Sequence, residues 1–83
     1  MPNFVSVYNK GDSFYKNGLW VDSVGTPITG VRKTLYPSTG TVQDETNIVD
    51  GIVDGVQKVY DGSGNLWYEN TWKKNVLVSF KKF

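Results

Sequence analysis

The chain has 83 residues, a net charge of +1, and neither cysteine nor histidine. A chain of this length forms one small domain that buries only about 60% of its unfolded surface. Without cysteine it has no disulfide and no thiolate metal site, and its near-zero charge gives no overall field that would favour nucleic acid or a membrane. We therefore expect a marginally stable domain that gains stability by associating with other subunits.

The residue types favour a β-sheet. Alanine is absent, valine occurs 12 times and threonine seven times, and three Trp, five Tyr and four Phe add to the β-prone residues. No window has helical periodicity, and no apolar run approaches the roughly 18 residues of a membrane-spanning helix. The N-terminus lacks the charged and apolar regions of a signal peptide, which indicates cytoplasmic synthesis.

The first part of the chain predicts three short strands. Residues 3–8 alternate between polar and apolar types, as a strand does, and residues 9–12 form a turn. Residues 14–15 begin the second strand. The Asn-Gly pair within residues 16–18 is a strong hairpin signal, and residues 19–23 form the return strand.

The rest of the chain predicts hairpins, after a break at residues 25–27. The fold class is all-β: an antiparallel meander of β-hairpins forming a curved sheet, in which neighbours in sequence are neighbours in space. The predicted strands in this part are residues 31–36, 41–49, 55–60, 65–73 and 76–83.

Two of these hairpins form a 24-residue repeat. Four pairs of identical residues have this spacing: Ile28 and Ile52, Tyr36 and Tyr60, Gly40 and Gly64, and Glu45 and Glu69.

A single small β domain is therefore predicted over residues 1–83. It consists of N-terminal strands within 1–25, hairpin repeats at 27–50 and 51–75, and a C-terminal strand at 76–83.

Four-residue loops, at residues 37–40 and 61–64, set the predicted register of the two repeats. They place Leu35 opposite Val42, Val59 opposite Leu66, and Lys33 opposite Asp44. Alternation then assigns one face to the core, comprising Leu35, Val42, Ile48, Val59, Leu66, Tyr68 and Trp72. The other face comprises Tyr36, Tyr60, Trp67, Glu45, Glu69 and Lys58.

The second repeat reads G-x4-Y-x3-G-x-L-x2-E-x2-W-x2-N over residues 55–75 and follows the junction Gly51-Ile-Val-Asp-Gly55. This pattern resembles a MORN-type repeat, in the variant form seen in bacterial antitoxin-like proteins, over residues 30–75. The first repeat departs from it, with one extra residue before Tyr36 and Ile48 in place of the aromatic. The resemblance implies curved hairpin sheets and a binding or scaffolding role, not catalysis.

The residue inventory argues against an enzyme. Without histidine or cysteine there is no Ser-His-Asp or Cys-His constellation and no common zinc site. Asp44 and Glu45 are adjacent, so on a strand they point to opposite faces. The Asp61-to-Asn65 segment resembles part of a calcium loop but lacks its closing glutamate, which favours a plain turn. We expect no catalytic residue, no metal and no cofactor.

The predicted binding residues are the aromatic stripe Tyr36, Tyr60 and Trp67, together with Glu45 and Glu69. Such aromatics can stack on sugars or serve as hot spots for a protein partner, or be buried between subunits. Trp20 and Trp72 are assigned to packing.

Charge is uneven along the chain. Residues 41–55 are acidic, with Asp44, Glu45, Asp50 and Asp54. The C-terminal strand region is basic, with Lys73, Lys74, Lys81 and Lys82. Edge-strand lysines or a solvated face explain the basic group, with a polyanion site as the alternative.

The leading functional hypothesis is a non-enzymatic β-sheet module acting through protein–protein contacts, as a small subunit of a homo- or hetero-oligomeric assembly. The composition is similar in style to that of small phage virion proteins such as decoration or tail components. Two alternatives stay open. One is an antitoxin-like inhibitor that caps a partner enzyme through its acidic segment, and the other is a carbohydrate-binding module using the aromatic stripe. Membrane insertion and nucleic-acid binding are not expected.

Overall fold

The computed structural model describes residues 6–83 and is all-β. Residues 3–5 of the strand predicted at 3–8 therefore lie outside the described residues, and a strand is present from Val7 onward. The strands are β1 (Val7–Asn9), β2 (Phe14–Lys16), β3 (Leu19–Val21), β4 (Gly30–Leu35), β5 (Val42–Val49), β6 (Ile52–Tyr60), β7 (Leu66–Lys73) and β8 (Val76–Lys82), with a 3-10 turn at Lys10–Asp12.

Six strands form one sheet in the order β1-β4-β5-β6-β7-β8, and β2 and β3 form a separate hairpin. From β4 to β8 the sheet is the predicted antiparallel meander. The prediction was wrong for the N-terminal part. There β1 pairs in parallel with β4, and the intervening strands β2 and β3 form a hairpin outside the sheet.

Three tight turns connect neighbouring strands through two residues that both have positive φ. They are Asn17-Gly18, Asp50-Gly51 and Lys74-Asn75, with φ between 48° and 81°. Such turns match the right-handed twist of the strands that they join. The turn at Asp50-Gly51 starts β6 at Ile52, so the predicted junction at residues 51–55 is mostly strand.

The loops of the two repeats differ by one residue. Tyr36 N donates to Thr41 O at 2.8 Å, which closes the predicted four-residue loop at 37–40. Asp61 N donates to Asn65 O at 2.9 Å, so the second loop has only the three residues 62–64 and the prediction of four was wrong. The carboxylate of Asp61 accepts bonds from the backbone N–H groups of Ser63 and Asn65, as in an ordinary Asx turn.

Bulges near the loops change the predicted register. Leu35 pairs with Val42 as predicted, but the pairing then shifts, so that Lys33 faces Glu45 and not Asp44. In the second hairpin Tyr60 faces Leu66 and Val59 faces Tyr68, which replaces the predicted Val59–Leu66 pair. Because a bulge adds one residue on one strand, it reverses the alternation of faces beyond it.

The β2–β3 hairpin covers one face of the sheet, which we call the hairpin face. Trp20 N donates to Gly51 O at 2.8 Å, Gly51 N to Ile28 O at 2.8 Å, and Ile28 N to Trp20 O at 3.1 Å. Gly51 has φ of 81°, and a Cβ there would lie 3.0 Å from the Trp20 carbonyl oxygen. Glycine is therefore required at this turn both for its backbone conformation and for the approach of the hairpin.

The core is small. Among residues 6–83 the buried hydrophobic side chains are Val21, Ile28 and Ile48. Of the predicted core, only Ile48 is fully buried, and Leu35 is 45% exposed. The bulges explain this outcome, because they place Leu35 on the face opposite the hairpin, which we call the ladder face.

Candidate functional site

A row of alternating charges crosses the ladder face. The pairings join Lys33 to Glu45, Glu45 to Lys58, Lys58 to Glu69, and Glu69 to Lys81. Residues directly opposite on neighbouring strands share a face, so these five side chains form one line across five strands, which we call the charge ladder. Lys33 Nζ lies 3.7 Å from Glu45 Oε2. Each charge therefore has an opposite charge on the neighbouring strand.

Three of the predicted binding residues are linked to one another beside this ladder. The Tyr36 hydroxyl donates to the Tyr60 carbonyl at 2.7 Å, and the Tyr60 hydroxyl donates to Glu45 Oε1 at 2.8 Å. The hydrogen bond to Glu45 is the largest of the effects that raise the pKa of Tyr60. Burial and then the negative charges of Glu45 and Glu69 raise it further. These hydroxyls therefore tie the two hairpins together.

Trp67 packs against Tyr68, and among the described residues no ring contact joins it to Tyr36 or Tyr60, the other aromatics of the predicted stripe. Its ring centroid is 5.1 Å from that of Tyr68, its neighbour in sequence, and Tyr68 is 5.6 Å from Phe80. Adjacent residues of a regular strand point to opposite faces, and the bulge between Tyr60 and Tyr68 removes that alternation. Trp67 thus belongs to an aromatic group that leads to β8, and it is 46% exposed.

The hairpin face contains a cavity of about 150 Å³ between Trp20 and Trp72. The sequence predicts a packing role for both tryptophans. The Arg32 guanidinium lies over the Trp20 ring at 4.2 Å, and Trp72 Nε1 donates to Gln57 Oε1 at 2.9 Å. The polar lining of this cavity comes from side chains on β4, β5 and β6.

These polar side chains satisfy one another. Gln57 accepts from Asn70 and donates to Thr46, while Arg32 donates to Ser13 and to Thr34. Among the described residues no buried side-chain nitrogen or oxygen lacks a partner. A satisfied network of this kind holds strands in one arrangement. We assign it to the packing of the hairpin against the sheet.

Burial shifts the pKa values of the two charged groups in this cavity. It raises the pKa of Asp44, against the opposing effects of Arg32 and of hydrogen bonds from Thr34 and Thr46. It lowers the pKa of Arg32, against the charge of Asp44. Because Asp44 and Glu45 lie on opposite faces, as their adjacent positions predict, the acidic segment does not form a single patch.

The C-terminal strand β8 is the most exposed element of the sheet. All seven of its residues are exposed, although it pairs with β7 along one side. It carries large apolar side chains at 48–61% exposure, namely Val76, Leu77, Val78 and Phe80, and Phe83 follows at 55%. An edge strand of this length with exposed apolar groups can pair with another chain. An edge strand was one of the explanations that the sequence offered for the lysines here, but it did not predict that the apolar side chains would be uncovered.

The backbone of β8 shows which groups are open. Phe83 N donates to Trp67 O at 2.9 Å, and Lys81 is paired with Glu69 in the same register. In an antiparallel pair, alternate residues direct both backbone polar groups to the same neighbour. The N–H and C=O of Phe80 and Lys82 therefore point away from β7, toward the open edge.

No family model, no curated protein and no solved structure matches this chain. Within residues 6–83 no three acidic side chains converge as a metal site would require. The same residues contain no helix long and apolar enough to cross a membrane.

Proposed function

We propose that this chain is a non-enzymatic β-sheet interaction module, a small subunit of a larger assembly that it joins through the open edge of β8. The observation that carries the proposal is the exposure of every residue of β8, on both faces of the strand. Backbone pairing at a sheet edge is a general mode of protein recognition, in which main-chain bonds supply affinity and side chains supply specificity.

The small core supports the same role. With only three hydrophobic side chains buried among residues 6–83, the domain has little apolar burial of its own, and each large side chain newly buried in an interface contributes about 1.5–3 kcal/mol. The composition, which resembles that of small phage virion proteins, makes a virion an appropriate assembly to examine. The MORN-type relationship remains a prediction consistent with the paired hairpins.

The inhibitor and carbohydrate alternatives receive less support from the geometry. The carboxylates of the acidic segment lie on two faces of the sheet, and Trp67 packs with Tyr68 and not with Tyr36 or Tyr60. The β8 edge, in contrast, combines outward-facing backbone groups, apolar side chains and positive charge in one strand, which has a bulge at Val78.

The test compares two substitutions at Phe80 in the native cells. Phe80→Pro removes an N–H that points to the open edge, so it blocks strand pairing and leaves every bond to β7 intact. Phe80→Ala removes the ring but keeps the N–H. We expect the wild-type chain to elute well above 9.3 kDa in size exclusion of a native extract, Phe80→Ala to retain part of that association, and Phe80→Pro to elute as a monomer.

A matched control is Val24→Lys, at an 82% exposed loop position away from β8. It should leave the elution unchanged. The proposal fails if the wild-type chain elutes as a compact monomer, or if Phe80→Pro leaves its association intact while thermal unfolding shows that the variant is folded.

A further inference from the structure

The identity of the strand that would pair with β8 can be inferred from the charge ladder; this inference rests on the proposed function. In the register of the sheet, Lys33 on β4, Lys58 on β6 and Lys81 on β8 occupy equivalent positions, and Glu45 on β5 and Glu69 on β7 lie between them. The order of charges across the sheet is therefore +, −, +, −, +.

This pattern gives β8 the position of a first strand in a third hairpin unit. In each of the two complete units a lysine on the first strand faces a glutamate on the second, as Lys33 faces Glu45 and Lys58 faces Glu69. Among the described residues, no second strand follows β8 in the sheet. Lys81 consequently has Glu69 on one side and an open strand position on the other, and its Nζ lies 5.0 Å from the centroid of the Phe83 ring.

The backbone geometry would bring a residue on an added strand close to Lys81. The polar backbone groups of Lys81 point toward β7, as the bond from Phe83 to Trp67 indicates. A residue opposite Lys81 on an added antiparallel strand would therefore form a non-hydrogen-bonded pair with it, in which Cα atoms are about 4.5 Å apart and side chains are closest. By the same alternation, Lys58 and Glu69 form such a pair.

We propose that the β8 edge binds an extended acidic strand from another protein, antiparallel to β8, with a carboxylate facing Lys81. That strand completes the third hairpin unit in trans and continues the alternation of charge. Opposite charges directly across two strands stabilise the pair, and like charges destabilise it. The exposed apolar side chains of β8 then pack against apolar residues of the same strand.

A second copy of this chain is a poorer occupant of the edge. The two edge strands of the sheet are β1 and β8. Neither contains aspartate or glutamate, so pairing of two copies through these strands would leave Lys81 without a carboxylate. The second strands that carry Glu45 and Glu69 are interior to the sheet and paired on both sides.

The chain itself provides a probe. A synthetic peptide with the sequence of residues 41–49, blocked at both ends and labelled with fluorescein, reproduces the second strand of the first hairpin and contains Glu45. Its binding to the full chain is measured by fluorescence anisotropy. We expect saturable binding that Phe80→Pro abolishes, because the peptide uses the open edge.

A charge swap tests the pairing itself. Lys81→Glu should weaken binding of this peptide by about tenfold, and a peptide with Glu45→Lys should recover most of that loss on the Lys81→Glu chain but bind the wild-type chain weakly. Lys74→Glu makes the same charge change in the turn before β8 and should alter binding less than about twofold.

Equal binding of the acidic and the lysine-containing peptides to the wild-type chain would overturn the proposed pairing with Lys81. If no peptide binds while Phe80→Pro still dissociates the native assembly, the edge is functional but its partner is not an acidic strand. If no peptide binds and Phe80→Pro also leaves the native assembly intact, both the proposed function and this inference are wrong. Discrete dimers of the wild-type chain that Phe80→Pro dissociates would identify a second copy as the occupant.

Discussion

Single side chains on the two faces of this sheet contribute by different physical effects. On the ladder face, Tyr60 connects the end of one hairpin to Glu45 of the other through its hydroxyl. On the hairpin face, Asp44 is a half-buried carboxylate in the cavity beneath Trp20. One group is stabilised in its neutral form by an acceptor, whereas the other is disfavoured in its charged form by burial.

Tyr60→Phe is expected to lower the free energy of unfolding by about 1 kcal/mol at neutral pH, because it deletes the hydrogen bond to Glu45. The folded-state pKa of Tyr60 is raised, so its stabilising contribution is present below the unfolded pKa of about 10 and is lost as pH rises through the folded pKa. Urea unfolding at pH 7 and above pH 10 should show the gap between wild type and variant closing. A constant gap would refute this role for the hydroxyl.

Asp44→Asn should raise the free energy of unfolding at pH 7, because burial raises the pKa of Asp44 and so disfavours its ionised form. The contribution of a raised carboxyl pKa is present below the unfolded value of about 3.9 and is lost as pH rises through the folded value. The advantage of the asparagine variant should therefore vanish as pH falls toward 4. An asparagine variant that is less stable at pH 7 would show that the ionised form is needed.

At the scale of elements, the hairpin over the sheet depends on the turn between β5 and β6. Gly51→Ala should destabilise the fold by about 1–2 kcal/mol, because its φ of 81° disfavours a side chain and its Cβ would press on Trp20 and Leu19. Gly64→Ala is a matched control, since its φ of 86° disfavours a side chain equally while nothing lies within 4 Å of a Cβ there. Thermal unfolding of the two variants measures the difference. Equal losses would mean that the close approach at Gly51 does not matter.

The elements differ in how far local sequence determines them. Asn17-Gly18 is a turn whose chemistry is local, and Leu35 meets Val42 because a four-residue loop joins their strands. The extra residues near Val42 and Leu66 that create the bulges have no such local signal. One bulge moves Leu35 off the predicted core face, and the other moves Trp67 away from Tyr60.

Contacts between distant segments were beyond prediction for a different reason. The parallel pairing of β1 with β4 and the docking of Trp20 over Arg32 join residues that are far apart in sequence. No periodicity in either segment specifies its partner. The predicted binding residues Tyr36, Tyr60 and Glu45 could be grouped from sequence because neighbouring hairpins place them together.

For the whole molecule, the central feature is that side-chain exposure increases across the sheet from its centre to β8. The β2–β3 hairpin covers the strands around Ile48, which is 1% exposed, and cover is lost toward β8, where Phe80 is 59% exposed. The ladder face has regular charge up to Lys81, where the row ends with a positive group at the edge. At the β8 edge, an added strand would therefore cover apolar side chains on one face and extend the row of charges on the other.

Amide hydrogen exchange of β8, measured by NMR with and without the peptide of residues 41–49, tests this account most directly. In the free protein, the amides of Phe80 and Lys82 should exchange rapidly because they point to the open edge, whereas that of Lys81 should be protected by β7. Addition of the peptide should slow exchange at Phe80 and Lys82. Unchanged exchange at these two amides under saturating peptide would contradict strand addition at β8.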